Sequence, residues 1–566
     1  MFDTLPEDPL EVLNWSWVQY QPFVDDLISR HLIANNVSQF LADWSRLMGF
    51  WSETYARLYI ATALDTTDEA AQQKFEIFLD GIYPKSQSAD QEIKEKFLAS
   101  ELEPEGFEIP LRNLRAQAAL FREANLPLLS EELKLTNAFE KIIGTQTVMW
   151  EGEEKTLPQL KPVYQDTDRS LRERAWRLVS ERQLTDRRAI NDSWCRLMKL
   201  RLKQATNADM PNYRAYQWQK LLRFDYTPED CVTFQNAIES VVVPAAERIY
   251  ERRRQRLGVG ELRPWDLDVD PLGRPPLRSF SEVAELEQKS AVIFGKVDLK
   301  LGTYFNEMRQ GDLLNLANYK GKAAGAFCFS LMATRKPFLL GNAVGLHEDV
   351  QMLLHEAGHA FHVFESADIP YFQQLEIPME FAEVASMAME LLASPYLVAS
   401  EGGFYTDVDA ARARIEHLEE SILFWPYMAV VDAFQHWVYE NPQDGSDPAK
   451  CDAVWSALWD RFMKGVDWSG LEDAKATGWQ RKIHIHTDPF YYVEYGLAQL
   501  GAVQVWANAL QDQTSAVAAY RKALSLGATV TLPELFALAG ARFAFDEITL
   551  GEAIRLMEKT IDELSP

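Results

Sequence analysis

The chain has 566 residues, of which 47% are hydrophobic and 25% charged, the balance of an ordinary globular protein rather than a disordered or fibrous one. Its 57 basic and 84 acidic residues give a formal net charge of −27. Nucleic acids and anionic membrane surfaces are bound by clustered lysine and arginine, so this charge argues against both kinds of partner. The length predicts more than one hydrophobic core.

From Val12 to Leu202 the chain shows helical periodicity, because large apolar residues recur every three or four positions with charged residues between them. Single prolines interrupt this run and are predicted to lie at helix boundaries: Pro84, Pro110 and Pro127. The segment 207–231 then breaks the regularity. We therefore predict an N-terminal helical lobe over residues 1–205 and a second domain over residues 206–566.

The strongest strand pattern lies between residues 319 and 342. Ala326–Met332 is compact, apolar and aromatic, and a second run begins at Pro337–Leu340. These runs predict two short strands joined by a polar turn, directly before the next helix. The edge of such a sheet could pair with an extended peptide through main-chain hydrogen bonds, or the hairpin could only support the core. Both interpretations remain open from the sequence.

Residues 350–364 contain the HExxH pattern, formed by His355, Glu356 and His359. On a helix, positions i and i+4 lie about 40° apart around the axis, so both imidazoles can bind one zinc ion. Glu356 lies one position after the first histidine, where its carboxylate can reach a water on that ion and accept its proton. The pattern therefore predicts a catalytic zinc site with Glu356 as the base.

A catalytic zinc usually takes three protein ligands and leaves one position for water. Residues 377–395 supply three acidic candidates in a segment rich in methionine and alanine: Glu380, Glu383 and Glu390. Glu383 and Glu390 are two helical turns apart and face the same way, so helix geometry alone does not choose between them. Glu380 is offset from both and is expected to be a solvated carboxylate.

Two further features bear on the location of the protein. Ile422–Phe434 is apolar, but it is short and contains Pro426, which predicts a buried helix rather than a membrane span. The four cysteines form no CxxC pair, and the N-terminal MFDTLPEDPLEVLNW lacks the basic and apolar stretches of a signal peptide. These features predict a cytoplasmic protein.

The segment 481–496 gathers several side chains that could serve peptide hydrolysis, which requires neutral donors aimed at a developing oxyanion. They are His484, His486, Tyr491, Tyr492 and Tyr495. The segment is therefore a candidate for the other wall of the site.

The motifs HEAGHAFH and FAEVASMAME resemble the M3 family of zinc oligopeptidases, which includes thimet oligopeptidase and the bacterial oligoendopeptidase F group. GKAAGAFCFS, DAFQHWVYENP and PFYYVEYGLAQLGAVQVW are also similar to the bacterial members. The similarity runs from about residue 207 to about residue 550 and is closest to the oligoendopeptidase F and Pz-peptidase-like enzymes.

This resemblance implies roles for the candidate residues. The third ligand in the family is the glutamate that opens an E-x-x-S-x-x-x-E pattern, which implies Glu383 as the ligand of one Zn²⁺ per chain. His362 is then expected to pack or to form a hydrogen bond. By position, the oxyanion would be stabilised by His484, Tyr492 and Tyr495. His486 and Tyr491 would instead pack or line the rim.

The resemblance also implies a mainly α, two-lobed zincin fold with a small β-sheet beside the active-site helix and a deep substrate channel. Residues 206–566 would form the catalytic domain of a metallo-oligoendopeptidase that cleaves internal bonds of short peptides. Two alternatives stay open: a zinc carboxypeptidase or dipeptidyl carboxypeptidase, and a catalytically inactive helical peptide-binding protein. A cationic group that grips a free carboxylate would favour the first alternative.

Overall fold

The computed structural model describes residues 1–323 and 325–565. The fold is mainly helical, as the sequence predicts. The chain divides into two compact units, each assembled from three segments. The first unit comprises Met1–Ala118, Leu277–Ala413 and Ala498–Phe543, and the second comprises Ala119–Pro276, Arg414–Leu497 and Ala544–Pro566. The predicted domain boundary between residues 205 and 206 falls inside the second unit and remains a prediction.

The N-terminal part consists of successive helices and one β-hairpin. Its elements are α1 (Trp17–Ser29), α2 (Val37–Leu64), α3 (Glu69–Gly81), α4 (Tyr83–Ala99), α5 (Glu108–Leu120), α6 (Leu126–Gly144), β1 (Thr147–Trp150), β2 (Glu153–Thr156), α7 (Lys161–Tyr164), α8 (Arg169–Thr185), α9 (Arg187–Asn207), α10 (Tyr213–Lys220), α11 (Pro228–Ala237) and α12 (Val243–Leu257). The three prolines singled out in the sequence lie in the first turns of α4, α5 and α6, so this prediction is confirmed.

The middle part contains the predicted strands and the HExxH helix. Its elements are α13 (Val283–Val297), α14 (Leu299–Gln310), β3 (Leu314–Ala317), β4 (Phe327–Leu331), β5 (Lys336–Ala343), α15 (His347–Glu365) and α16 (Met379–Ala393). The remainder is helical: α17 (Asp407–Glu440), α18 (Pro442–Gly445), α19 (Pro448–Phe462), α20 (Glu472–Ala476), α21 (Ile483–Thr487), α22 (Tyr492–Ala509), α23 (Gln513–Leu524), α24 (Leu532–Leu538) and α25 (Glu547–Leu564).

The apolar segment Ile422–Phe434 lies inside α17 and is mostly buried, as predicted. Across the described part of the chain, no helix combines the length and the apolar character needed to cross a membrane.

The sheet of the first unit has the strand order β3–β5–β4, with β4 and β5 antiparallel and β3 parallel to β5. The predicted hairpin is therefore confirmed, whereas β3 and the β1–β2 hairpin were not predicted. Glu53 of α2 is fully buried and accepts hydrogen bonds from the N–H groups of Ala333 (2.9 Å) and Thr334 (2.8 Å), which fixes the β4–β5 turn. On β5, an added Cβ at Gly341 would lie 2.8 Å from Met352 Cε, so this strand packs closely against α15.

Candidate metal centre and active site

The start of α15 is fixed by one carboxylate. Asp349 Oδ2 accepts hydrogen bonds of 2.8 Å from the backbone N–H groups of Val344, Gly345 and Leu346. Gly345 has a φ of +96°, a conformation that favours glycine, and an added Cβ would lie 2.8 Å from Phe280 O. These contacts fix the residue at which α15 begins and therefore the direction in which its histidines point.

The structure brings His355, His359 and Glu383 together in the first unit. The imidazole centroids are 5.0 Å apart, and Glu383 Oε2 lies 3.5 Å from His355 Nε2 and 3.6 Å from His359 Nε2. Two ligand atoms on one tetrahedral zinc ion lie about 3.4 Å apart, given metal–ligand bonds of about 2.0–2.1 Å. Both distances to Glu383 therefore match the spacing of ligands on a single zinc ion, and all three ligand atoms lie within 4.8 Å of one another.

Gly358 explains how Glu383 of α16 reaches the histidines of α15. A Cβ added at this position would lie 2.5 Å from Ala385 O and 2.5 Å from Ser386 Cα. The backbone of α16 thus lies directly on the bare surface that this glycine leaves. The fourth position of HExxH therefore sets the distance between the two helices that carry the candidate ligands.

We expect Gly358→Ala to push α15 and α16 apart. Overpacking of this kind costs about 1–3 kcal/mol of stability, and here it also moves Glu383 away from the imidazoles. The variant should show a lower melting temperature and a weaker zinc affinity, measured by competition with a fluorescent chelator. Gly81→Ala is the matched control, because no atom lies within 4 Å of its added Cβ. Wild-type zinc affinity in Gly358→Ala would contradict this explanation.

The candidate ligands are held by further hydrogen bonds. Glu390 Oε1 accepts a bond of 2.6 Å from His355 Nδ1, which leaves the Nε2 lone pair of that ring for a metal. The Ser386 hydroxyl lies 3.0 Å from Glu383 Oε2 and can donate to it. His359 forms its own hydrogen bond with the backbone of Ala382. Helix geometry alone left Glu383 and Glu390 equivalent, but their positions differ: Glu383 faces both Nε2 atoms and Glu390 faces Nδ1.

Glu390→Ala should therefore weaken zinc binding without removing a ligand. Loss of a carboxylate that orients a metal-binding histidine lowers metal affinity or activity by about 10–100-fold, because the carboxylate fixes the tautomer and the ring orientation. Glu390→Gln keeps an acceptor oxygen and should lose less than the alanine variant. Zinc competition titrations on both variants provide the measurement, and equal affinity in all three proteins would contradict the orienting role.

The electrostatics of the cluster fit a bound cation. Burial raises the pKa of Glu356 to about 7, and the charges of Glu383 and Glu390 act in the same direction. Burial would also raise the pKa of Glu383, but contacts with the two imidazoles bring it down to about 2. Burial lowers the pKa of His359 to about 4, so this ring is neutral at physiological pH. Burial would lower the pKa of His355, but hydrogen bonds with Glu383 and Glu390 hold it well above its usual value. Two imidazoles and a carboxylate are a donor set suited to catalytic zinc, and the acidic groups around them need a positive partner.

His362 and Glu380 lie close to the candidate ligands in the sequence, and the structure tests what was predicted for each. His362 is buried, packs against Phe381 and has its pKa lowered by burial to about 3, which agrees with the predicted packing role. Glu380 was expected to be solvated, but only 4% of it is exposed, so this expectation was wrong. The carboxylate lies in the first turn of α16, where the helix dipole favours a negative charge even with little water.

The remaining candidates lie in the second unit, around α21 and the first turn of α22. The His484 ring is 5.2 Å from the Tyr492 ring and 6.0 Å from the Tyr495 ring. Tyr491 belongs to the same cluster, with its ring 5.1 Å from that of Tyr495 and 5.8 Å from that of His484. His484 and the three tyrosines thus form one continuous aromatic cluster.

Members of this cluster differ in exposure. Tyr492 is 5% exposed, whereas Tyr491 and Tyr495 are half-buried. The Tyr492 hydroxyl accepts a hydrogen bond of 2.5 Å from Lys482 Nζ. His486 is fully buried and stacks on Phe139 with ring centroids 4.0 Å apart, in agreement with the packing role expected for it.

The match to known proteins decides the family. A model of peptidase family M3 matches residues 163–552. The chain belongs to this family. Among solved structures, Pz peptidase A with an inhibitor is similar at a TM-score of 0.88 and 26% identity, over 100% of this chain and 99% of that one. A protein assigned as an oligoendopeptidase F has a TM-score of 0.88 at 27% identity, over 99% of this chain and 98% of that one.

Curated relatives of this M3-family chain are more distant. An oligoendopeptidase F homolog of Borreliella burgdorferi is 23% identical over 53% of this chain and 50% of its own length. The chromosomal oligoendopeptidase F of Lactococcus lactis subsp. cremoris is 23% identical over 63% of this chain and 59% of its own length. The matched region thus spans about half the length of the first relative and somewhat more than half the length of the second.

No sequence pattern indicated the residues that hold the His484 segment of this M3-family chain. Arg201 is fully buried, pairs with Glu132 at 2.7 Å, and donates to the backbone oxygen of His486. Arg223 donates to Phe490 O at 2.6 Å and pairs with Glu494 at 2.5 Å. These partners lie far apart in the sequence, so no local pattern could have revealed them.

A second group of metal-ligating side chains lies in the second unit, where Cys231, Asp432 and His436 are all buried with their ligand atoms within 4.8 Å of one another. His436 Nδ1 lies 3.4 Å from Arg214 Nη1, and His436 Nε2 lies 3.6 Å from Asp432 Oδ1. The positive charge of the Arg214 guanidinium beside this ring disfavours a second cation there. This charge distinguishes the group from the cluster on α15 and α16, which is surrounded by acidic residues.

Proposed function

We propose that the protein is a zinc-dependent metallo-oligoendopeptidase that hydrolyses internal bonds of short peptides. The observation that carries the proposal is the convergence of His355 Nε2, His359 Nε2 and Glu383 Oε2, with Glu356 one position after the first ligand. Relatives named oligoendopeptidase F and Pz peptidase support the same class of reaction and the same size of substrate.

In this proposal one zinc ion per chain is held by His355, His359 and Glu383. When bound, zinc supplies a positive charge that polarises a water and the scissile carbonyl. Glu390 and Ser386 hold the ligands in place, so the site needs little rearrangement when the metal binds.

Glu356 is the proposed general base. It would accept a proton from the attacking water and then pass that proton to the leaving amine. Burial raises the pKa of this carboxyl, which makes it a stronger proton acceptor than an exposed glutamate and suits it to both transfers.

His484, Tyr492 and Tyr495 are the proposed donors to the carbonyl oxygen as its negative charge develops. The burial of Tyr492 and its bond with Lys482 make it the least accessible of the three, and Tyr495 is half-buried in the same cluster. Single substitutions to phenylalanine would rank the two tyrosines by their effect on kcat.

For the location, we propose the cytoplasm. Within the described residues the four cysteines form no disulfide, which fits a reducing compartment. The strongly negative charge of the chain supports the exclusion of nucleic acid and of anionic membrane surfaces as partners.

Digestion of a peptide library, with and without a chelator, tests the proposed function. We expect cleavage at internal bonds of short peptides, loss of activity with the chelator and recovery on addition of zinc. Peptides blocked at both termini distinguish the alternatives, because a carboxypeptidase or dipeptidyl carboxypeptidase would cleave them poorly. Zinc binding without cleavage of any peptide would favour the inactive peptide-binding protein instead.

A further inference from the structure

Two adjacent cations, Arg481 and Lys482, lie directly before the His484 helix α21. Neither forms an ion pair with a carboxylate among the described residues. Three other arginines of the second unit do pair with an aspartate or glutamate: Arg187, Arg214 and Arg263.

The hydrogen-bonding capacity of both side chains is only partly used by the protein. Lys482 carries three N–H donors, and its one hydrogen bond within the described residues goes to the Tyr492 hydroxyl. Arg481 carries five donors, and its bonds go to Ala474 O (2.9 Å) and Thr477 Oγ1 (3.4 Å). Several donors from the two cations therefore remain for water or for a ligand.

The surroundings of Lys482 hold the ammonium group in place without neutralising it. Its Nζ lies 4.1 Å from the centroid of the Tyr492 ring and 5.5 Å from that of Tyr427, so the aromatic faces stabilise the cation. Burial lowers the pKa of Lys482 to about 8, and it also lowers the pKa of Arg481. A partly buried cation without a counter-charge gains stability when an anion binds.

Lys482 lies beside the proposed oxyanion donors of the second unit. It contacts Tyr492, and the Tyr492 ring is 5.2 Å from the ring of His484. An anion on Lys482 would therefore lie near two of these donors. The anionic groups of a peptide substrate are its C-terminal carboxylate and the side chains of aspartate and glutamate.

We propose that Lys482 forms a carboxylate-binding subsite that selects peptides with a carboxylate near the scissile bond, and that Arg481, its neighbour in the chain, adds positive charge there. The proposal rests on the proposed function, because it takes peptides as the substrates. A C-terminal carboxylate and an acidic side chain offer the same chemistry, so two pairs of peptides separate these sources. One pair differs only in a free acid or a carboxamide at the C-terminus, and mapping the products of this pair separates a cut at an internal bond from the removal of C-terminal residues that a carboxypeptidase or dipeptidyl carboxypeptidase would give. The other pair ends in a carboxamide and differs only in glutamate or glutamine near the cleaved bond.

We expect wild-type enzyme to cleave the carboxylate-bearing member of at least one pair with a kcat/KM about tenfold higher, the value of one charge-assisted hydrogen bond. Lys482→Met should remove this preference, because the KM of the carboxylate-bearing peptide rises more than that of its neutral counterpart and the ratio of the two kcat/KM values falls towards one. Lys482→Arg should keep most of the preference, because it keeps the charge. Lys464→Met, an exposed lysine in the same unit, is the control for the change in net charge.

Several outcomes would overturn the subsite. Equal kcat/KM for both members of both pairs in the wild type would exclude carboxylate selection. An equal loss for acid and neutral peptides in Lys482→Met would mean that the lysine acts only through Tyr492 or through packing. Failure of the wild type to cleave any of the four peptides, with zinc bound, would instead count against the proposed function, so the two failures are distinguishable.

Discussion

Glu356→Gln is expected to abolish nearly all peptide hydrolysis while leaving the metal bound. General-base catalysis contributes about 10²–10⁴-fold, and glutamine has the shape of glutamate but does not accept a proton at physiological pH. The substitution does not touch the atoms that converge on the candidate metal position, which belong to His355, His359 and Glu383. We therefore expect kcat to fall by about 10²–10⁴-fold, with little change in zinc content or in the melting temperature.

The measurement combines turnover of a quenched fluorescent peptide with metal analysis of the same sample. Glutamine is nearly isosteric with glutamate. A loss of activity without a loss of zinc would therefore show that Glu356 acts as the base and does not bind the metal. Turnover within a few fold of the wild type would remove Glu356 from the assigned role. A loss of zinc in this variant would mean that Glu356 is itself a ligand.

Glu383→Ala is expected to have the largest effect on zinc retention. Its Oε2 is the only carboxylate oxygen among the described residues that faces both Nε2 atoms, at 3.5 and 3.6 Å. Loss of one of three ligands should cost more than the 10–100-fold that follows from the loss of an orienting partner such as Glu390. The variant should be isolated with little zinc and with little activity.

The order of zinc affinities across variants tests this assignment. We expect wild type to bind most tightly, followed by Glu390→Ala and then by Glu383→Ala. Glu348→Ala removes an exposed carboxylate from the first turn of α15 and should behave as the wild type. If Glu390→Ala loses more zinc than Glu383→Ala, the roles of the two carboxylates are exchanged.

The two helices of the site, α15 and α16, show which of its features can be predicted from the sequence. HExxH is a local pattern, so the i, i+4 spacing of His355 and His359 is sufficient to predict that both rings lie on one side of a helix. The choice between Glu383 and Glu390 depends on how α16 packs on α15, which Gly358 controls through contacts with Ala385 and Ser386. Family resemblance indicated Glu383, but periodicity alone could not.

Other features depend on contacts between residues distant in the chain. The β4–β5 hairpin was predictable from its apolar runs, whereas β3 is too short and too ordinary in composition to stand out. Glu380 was expected in solvent because it is charged, yet a helix N-terminus allows its burial. Arg201 and Arg223 hold the His484 segment through partners that no sequence spacing connects.

Anomalous diffraction at the zinc edge, on crystals of the zinc-loaded protein, shows directly which side chains bind the metal. We expect one strong peak about 2.0–2.2 Å from the Nε2 atoms of His355 and His359 and from the Glu383 carboxylate. The same peak should be absent from crystals of Glu383→Ala soaked at low zinc concentration. A peak at the Cys231–Asp432–His436 cluster alone, or no ordered zinc between α15 and α16, would exclude the three-ligand zinc site.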